Sequence, residues 1–219
     1  MGREELTANA ISLLKKLIET QSFSSEEDQT AALLETWFKA SNIKYNRTKN
    51  NVWAVNKHFV NVNPTLLLNS HHDTVNPNSG YTKNPFKAIV EDGKLYGLGS
   101  NDAGGSLVSL IAVFTYFYNE SDLKYNLVIV ASAEEESSGP EGLNSVLPII
   151  PKVDVAIVGE PTLMNLAVAE KGLVVFDVVI AGTPSHAAHP NDDNAIYKSI
   201  EALQWFKDFK FEKGSKALG

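Results

Sequence analysis

Three short apolar runs rich in β-branched residues, at 65–68, 127–130 and 153–158, constrain the fold more than any other feature of this chain. Runs of this kind, without polar alternation, mark strands buried on both faces of a sheet. Between the first two, residues 107–118 are apolar over a length that fits a helix packed against that sheet. Leu6, Ala10, Leu13, Leu14 and Leu17 recur at helical spacing. So do Leu33, Leu34, Trp37 and Phe38, after the acidic start at 26–28. Strands alternating with helices place the chain in the α/β class, with a mixed, largely parallel sheet flanked by helices.

Asp92-Gly93, between Ala88-Ile89-Val90 and Leu95-Tyr96, predicts a hairpin turn, and the Asn-, Pro- and Gly-rich residues 76–85 predict a loop. After Pro161 the texture changes. Residues 173–180 read as a strand and 194–209 as a helix, which puts a domain boundary near 163–167, dividing the chain into 1–165 and 166–219.

A chain of 219 residues that is 43% apolar and 21% charged can bury a substantial core, so the starting expectation is a folded globular protein and not a disordered one. The net charge of −7 argues against a nucleic-acid partner, which needs a clustered basic surface. The longest lysine-containing stretch, 206–216, is interrupted by Asp208 and Glu212 and reads as a solvated helix end. With no cysteine, any metal must be held by histidine and carboxylates. Residues 1–20 carry charges through an amphipathic pattern unlike a signal peptide, and no stretch reaches membrane-spanning length. The expectation is a cytoplasmic protein with no membrane partner.

Acid and histidine clusters follow each buried run. Ser70-His71-His72-Asp73 comes after the first. Side chains two apart point the same way along an extended chain, so Asp73 can orient the His71 imidazole while His72 faces away. Asp102 follows a glycine-rich segment and precedes the apolar helix, where a helix cap is its ordinary role. Glu134-Glu135-Glu136 follows the second run, and adjacent carboxylates repel unless a cation sits among them; a solvated acidic loop is the alternative. Glu160, in Gly159-Glu160-Pro161-Thr162, follows the third. Each has an ordinary structural explanation when taken alone. Together they fall at the carboxyl ends of successive strands, the edge where open α/β sheets bind ligands. Histidine and carboxylate donors fit zinc, cobalt or manganese, and a shared carboxylate suits a metal pair. The chemistry implied is hydrolysis of an amide or peptide bond.

The motifs SHHDTV, LYGLGSNDAGG, SAEEESSG, VGEPT and PSHAAHP, in this order, resemble the aminoacylase and carboxypeptidase type of zinc metallopeptidase. The resemblance is strongest to the branch containing acetylornithine deacetylase and succinyl-diaminopimelate desuccinylase. It implies a zinc-exopeptidase-like catalytic domain followed by the start of a smaller α+β lid and dimerisation domain. It also implies two zinc ions, with cobalt or manganese possible. On this basis His71, Asp102 and Glu160 bind one metal, Asp102 bridges, Glu136 binds the second, and Asp73 supports His71. Glu135 is the general base, taking the last two of the three glutamates as the matching pair. His186, in Pro184-Ser185-His186, is the lid histidine that stabilises the oxyanion, often across a homodimer, whereas His189 takes a surface role. A cis peptide is implied at Asp102-Ala103.

The substrate implied is a small N-acyl amino acid, with N-acetylornithine first and a place in arginine biosynthesis. A dipeptide or succinyl-diaminopimelate is the alternative, and a non-catalytic metal-binding or dimerisation fragment is a reading of another class. Family members are longer and take one more metal-binding histidine from a returning segment. None of His58, His71, His72, His186 and His189 holds that late position, so the expectation is a chain that stops short of it.

Overall fold

Apolar residues three and four apart become the buried stripes of two opening helices in the computed structural model, which describes residues 2–215. These are α1 (Arg3–Glu19) and α2 (Asp28–Ala40). Leu6, Ala10, Leu13, Leu14 and Leu17 all turn inward from α1, and Ala31, Leu34 and Phe38 from α2. Acidic Glu4 and Glu5 in the first turn of α1 and Lys16 in its last complement the helix dipole.

The strands are β1 (Tyr45–Thr48), β2 (Asn51–Val55), β3 (Thr65–His71), β4 (Ile89–Glu91), β5 (Lys94–Tyr96), β6 (Asn126–Ser132) and β7 (Val155–Val158). Helix α3 (Gly105–Phe117) lies between β5 and β6, the short α4 (Leu143–Val146) before β7, and α5 (Ala195–Asp208) near the end. The main sheet has the order β1-β2-β6-β3-β7. β3 pairs in parallel with both β6 and β7, while β2 is antiparallel to β1 and β6. β2 alone therefore runs against the rest. β4 and β5 form the hairpin expected around Asp92-Gly93.

β3 and β6 read as continuous apolar runs because both their faces are covered. Leu68 and Ile129 join the larger core with Leu34, Phe38, Leu107, Ile111 and Phe114 of the helices. Leu67, Val128 and Val130, on the opposite face, pack with Val146 and Ile150.

Several elements differ from the sequence reading. β7 was expected to be buried on both faces, yet Val155 is 61% and Ile157 48% exposed. It is an edge strand hydrogen-bonded only to β3 among the described residues. Residues 173–180 form no strand, and Phe176 and Val179 are exposed. A strand exists only through a partner, and no segment among the described residues pairs with this one. The β1–β2 hairpin escapes a hydrophobicity reading because β1, Tyr-Asn-Arg-Thr, is polar.

The chain divides into two units, Met1–Met164 and Asn165–Gly219. In the second, α5 is capped by Asn194, whose side chain accepts from the Ile196 N–H at 2.9 Å. Residues 216–219 of the expected 166–219 segment, including Lys216 of the predicted helix end, lie outside the described residues. No described helix is long and apolar enough to cross a membrane.

Phe114 is fully buried where α3 meets the sheet. Phe114→Ala should destabilise the chain by about 3–5 kcal/mol, through lost transfer energy plus a cavity. Equilibrium urea unfolding checks this; a change below about 1 kcal/mol would mean the helix packs otherwise.

Candidate metal centre

His71 ends β3 with its ring almost wholly buried. Its Nδ1 lies 3.0 Å from the Asp73 carbonyl oxygen and 3.4 Å from Asp73 Oδ1. A proton on Nδ1 satisfies that side and leaves the Nε2 lone pair directed toward the acids. His72 turns the other way. Its Nδ1 is 2.9 Å from Thr30 Oγ1 and its Nε2 2.9 Å from the Asn50 carbonyl, and burial lowers its pKa.

Asp102 sits in the Ser100–Gly104 turn with φ −115° and ψ 99°, outside helical geometry. It is not the cap of α3: that helix begins at Gly105 behind Gly104 and has no side-chain cap. Instead Asp102 Oδ1 lies 3.2 Å from His71 Nε2. The Asp102-Ala103 peptide is cis. Gly104 allows the turn to close, since a Cβ there would lie 2.6 Å from the Gly99 carbonyl oxygen.

The three adjacent glutamates separate into different environments. Glu134 has φ +54° and turns inward, where Oε1 accepts from Ser25 Oγ at 3.2 Å and Oε2 from the Glu141 N–H at 3.0 Å. Gly139 makes room for it, because a Cβ at that position would come within 2.0 Å of Glu134 Oε2. The backbone N–H groups of Glu135 and Glu136 donate to Asp73 Oδ1 and Oδ2 at 3.0 and 3.1 Å. Their side chains remain on the His71 side. Glu135 Oε2 is 3.8 Å from His71 Nε2, and one Glu136 oxygen lies within 4.8 Å of donor atoms of both His71 and Asp102.

Glu160 follows β7, and its Oε2 is 3.8 Å from His71 Nε2. Gly159 fixes this approach: its N–H donates to the Asn69 carbonyl at 2.8 Å, and its carbonyl accepts from Ser70 Oγ at 2.8 Å. His186 belongs to the second unit, where its Nδ1 accepts from the Ala188 N–H at 3.1 Å and its ring lies 5.5 Å from that of His189. The first unit thus brings together His71, Asp73, Asp102, Glu135, Glu136 and Glu160. Sequence reasoning missed Ser24, whose hydroxyl donates to Asp73 Oδ2 at 2.7 Å; 49 residues separate them and no local pattern links them.

The electrostatics are those of a cluster short of positive charge. Burial opposes protonation of His71, but the Asp73 hydrogen bond and the charges of Asp73, Glu160 and Glu135 outweigh it and push the pKa up to about 9. Burial, joined by Glu135, Asp102 and Glu136 against the pull of His71, pushes Glu160 up to about 7. Glu136 is raised by burial and by Asp102. Asp73 is lowered despite its burial, because His71, Ser24 and the Glu135 N–H all hydrogen-bond its carboxylate. No Lys or Arg forms an ion pair with Asp102, Glu135, Glu136 or Glu160 among the described residues. One imidazole nitrogen amid several unneutralised carboxylates is a donor set that fits divalent ions taking nitrogen and oxygen ligands.

A family profile described as Peptidase family M20/M25/M40 matches residues 67–212. A succinyl-diaminopimelate desuccinylase of Wolbachia pipientis wMel is 30% identical over 225 residues, covering 94% of this chain and 56% of that protein. One from Buchnera aphidicola subsp. Cinara cedri is 31% identical, covering 94% and 58%. The chain spans a little over half the length of these curated relatives. Among solved structures, the M20 family metallo-carboxypeptidase Sso-CP2 from Sulfolobus solfataricus aligns with a TM-score of 0.54 at 28% identity, over 73% of this chain and 37% of that one. A dinuclear metal binding peptidase of the M20 family from Bacillus subtilis aligns at 0.55 with 18% identity, over 72% and 43%, and shares the fold.

The raised pKa values set a pH dependence whose sign can be worked out. Glu160 titrates near 4.5 when unfolded and about 7 when folded, so folding gains protons between those values. His71 does the same between 6.5 and about 9. Stability contributed by these protons is complete at the lower end of each window and lost toward the upper end. Urea unfolding of the metal-free chain should show stability falling from pH 7 to pH 9, where His71 loses its proton; below pH 7 the loss at Glu160 is opposed by His72, whose burial lowers its pKa and adds stability as pH rises. With a divalent ion in excess the trend should reverse, because the ligands bind only when deprotonated. A metal-free chain that gains stability from pH 7 to pH 9 would contradict the electrostatic picture.

Proposed function

The chain belongs to Peptidase family M20/M25/M40, and from that membership we propose that it carries the metal site of an amidohydrolase acting on N-acyl amino acids. The observation that carries this reading is the set of acids around His71 Nε2, with Asp102, Glu135 and Glu160 within 3.8 Å and no Lys or Arg paired with them among the described residues. In this proposal His71, Asp102, Glu136 and Glu160 hold two divalent ions, with zinc first and cobalt or manganese as alternatives. When bound, the ions supply Lewis acidity toward the scissile carbonyl and make water more acidic.

The residues of the chain divide the remaining work. Glu135 has a half-exposed carboxyl beside His71 and a backbone held by Asp73, so it is placed to accept a proton from the attacking water. The water oxygen adds to the acyl carbon, the C–N bond breaks, and Glu135 returns the proton to the leaving amine. The products are a carboxylate and a free amino group. Asp73 keeps His71 in one tautomer and one orientation. His186, from the proposed lid in residues 166–219, would stabilise the oxyanion, within a homodimer formed through that lid. The exposed Ile200, Leu203 and Phe206 on α5 support an associating role for this unit.

Relatives named succinyl-diaminopimelate desuccinylase favour a succinyl group and a diamino acid. Nothing in their names favours N-acetylornithine, and the proposed place moves from arginine toward lysine biosynthesis. The wording of Gly159-Glu160-Pro161-Thr162 and Ser185-His186 keeps N-acetylornithine as the second substrate to test.

Glu135→Gln should lower kcat by about 10²–10⁴-fold while leaving the metal content unchanged. Release of free amine from N-succinyl-diaminopimelate, N-acetylornithine and a dipeptide, with metal analysis of the same samples, checks this. Undiminished turnover in the variant would remove Glu135 from the role of base. Bound metal with no hydrolysis of any amide would favour a non-catalytic module.

A further inference from the structure

The connection between α1 and α2 contains none of the residues proposed as ligands, yet it reaches beneath the metal centre at several points. Ser22 offers its carbonyl to the Thr74 N–H at 2.8 Å, and Phe23 forms a parallel bridge with Thr74. This pins the connection alongside the chain leaving His71. Ser24 then donates its hydroxyl to Asp73 Oδ2 at 2.7 Å. Ser25, at φ +72°, donates its hydroxyl to Glu134 Oε1 at 3.2 Å. Glu27 completes the arrangement. Its side chain is 0% exposed. Its Oε1 accepts from the backbone N–H groups of Ser25 and Glu134, at 2.6 and 3.2 Å, and its Oε2 from Asn50 Nδ2 at 2.9 Å.

Burying a carboxyl group without a basic partner is costly, and no ion pair to Glu27 occurs among the described residues. Its two oxygens are satisfied wholly by hydrogen bonds, one of them from the first residue of the turn that carries Glu135 and Glu136. Ser24 and Glu27 thus act on two sides of one site. Ser24 steadies the carboxylate that orients His71, and Glu27 steadies the turn whose next two N–H groups dock on that same carboxylate.

We propose that the Ser24–Glu27 segment is a positioning element of the metal centre, setting metal affinity through Asp73 and Glu134 without supplying a ligand. The proposal rests on the metal-binding reading above. Partners behind metal ligands change affinity by about 10–100-fold when removed, and that is the effect expected here.

Cobalt(II) added to the chain gives both an affinity, by competition with a chelator, and a visible spectrum sensitive to ligand geometry. Ser24→Ala and Glu27→Gln should each weaken cobalt binding by about 10–100-fold and shift the spectrum, at a temperature where the metal-free variants keep native circular dichroism. Ser24→Thr, which retains the hydroxyl, should recover most of the affinity. Val146→Ala, a cavity on the opposite face of the sheet, should lower stability while leaving affinity and spectrum unchanged. If Glu27→Gln does not fold, the Ser24 pair decides the matter. Cobalt binding by Ser24→Ala with the parent affinity and spectrum would overturn the positioning role alone. Failure of the unaltered chain to bind cobalt would overturn the metal-site reading and this proposal together.

Discussion

One carboxylate ties the site together. Asp73 receives the Ser24 hydroxyl and the Glu135 and Glu136 N–H groups, and faces His71 Nδ1. An ionised carboxyl has about four lone-pair positions, so it can serve donors from three separate segments at once. The end of β3, the turn after β6 and the α1–α2 connection therefore meet at a single side chain. Hydrogen bonds to a charged acceptor are worth about 1.5–3 kcal/mol each, enough to hold an acidic turn that would otherwise be driven apart by its own charges. The depressed pKa of Asp73 is the electrostatic expression of that convergence.

The sheet supplies the platform for it. Because β6, β3 and β7 are parallel neighbours, their carboxyl ends emerge on one edge, bringing Glu135, His71 and Glu160 together from distant parts of the chain. α3 adds Asp102 from the turn at its own start. The apolar packing beneath, Leu68 and Ile129 on one face and Leu67 and Val128 on the other, keeps β3 and β6 from shifting. A slip of one residue along either strand would exchange its faces and move its terminal acid or histidine with it.

Much of this was legible in the sequence because it depends on local pattern. The apolar runs at β3 and β6 were unbroken, and three of the four clusters lay directly after an apolar run, Asp102 being the exception. The alternation of His71, His72 and Asp73 forecast which ring faces the acids and which is buried behind, for a purely geometric reason. The glutamate run was less transparent. Three identical residues carry no local mark of which one turns inward, so the choice of Glu135 and Glu136 rested on the family resemblance; Gly139, Ser25 and Glu141 are the residues that receive Glu134. The exposed face of β7 was misread because apolarity in a strand does not reveal how many neighbours the strand has. The same holds for residues 173–180, whose strand-like pattern finds no partner among the described residues.

The sequence by itself determined the α/β class, the order of the site clusters and the donor types available to a metal, since periodicity and residue chemistry are local properties. Only the tertiary structure decided which groups receive Glu134 and that Ser24 and Glu27 stand behind the cluster. Those outcomes depend on contacts between residues as far apart as Glu27 and Glu134. Contacts of that kind are set by how layers pack, and no stretch of sequence read on its own contains both partners.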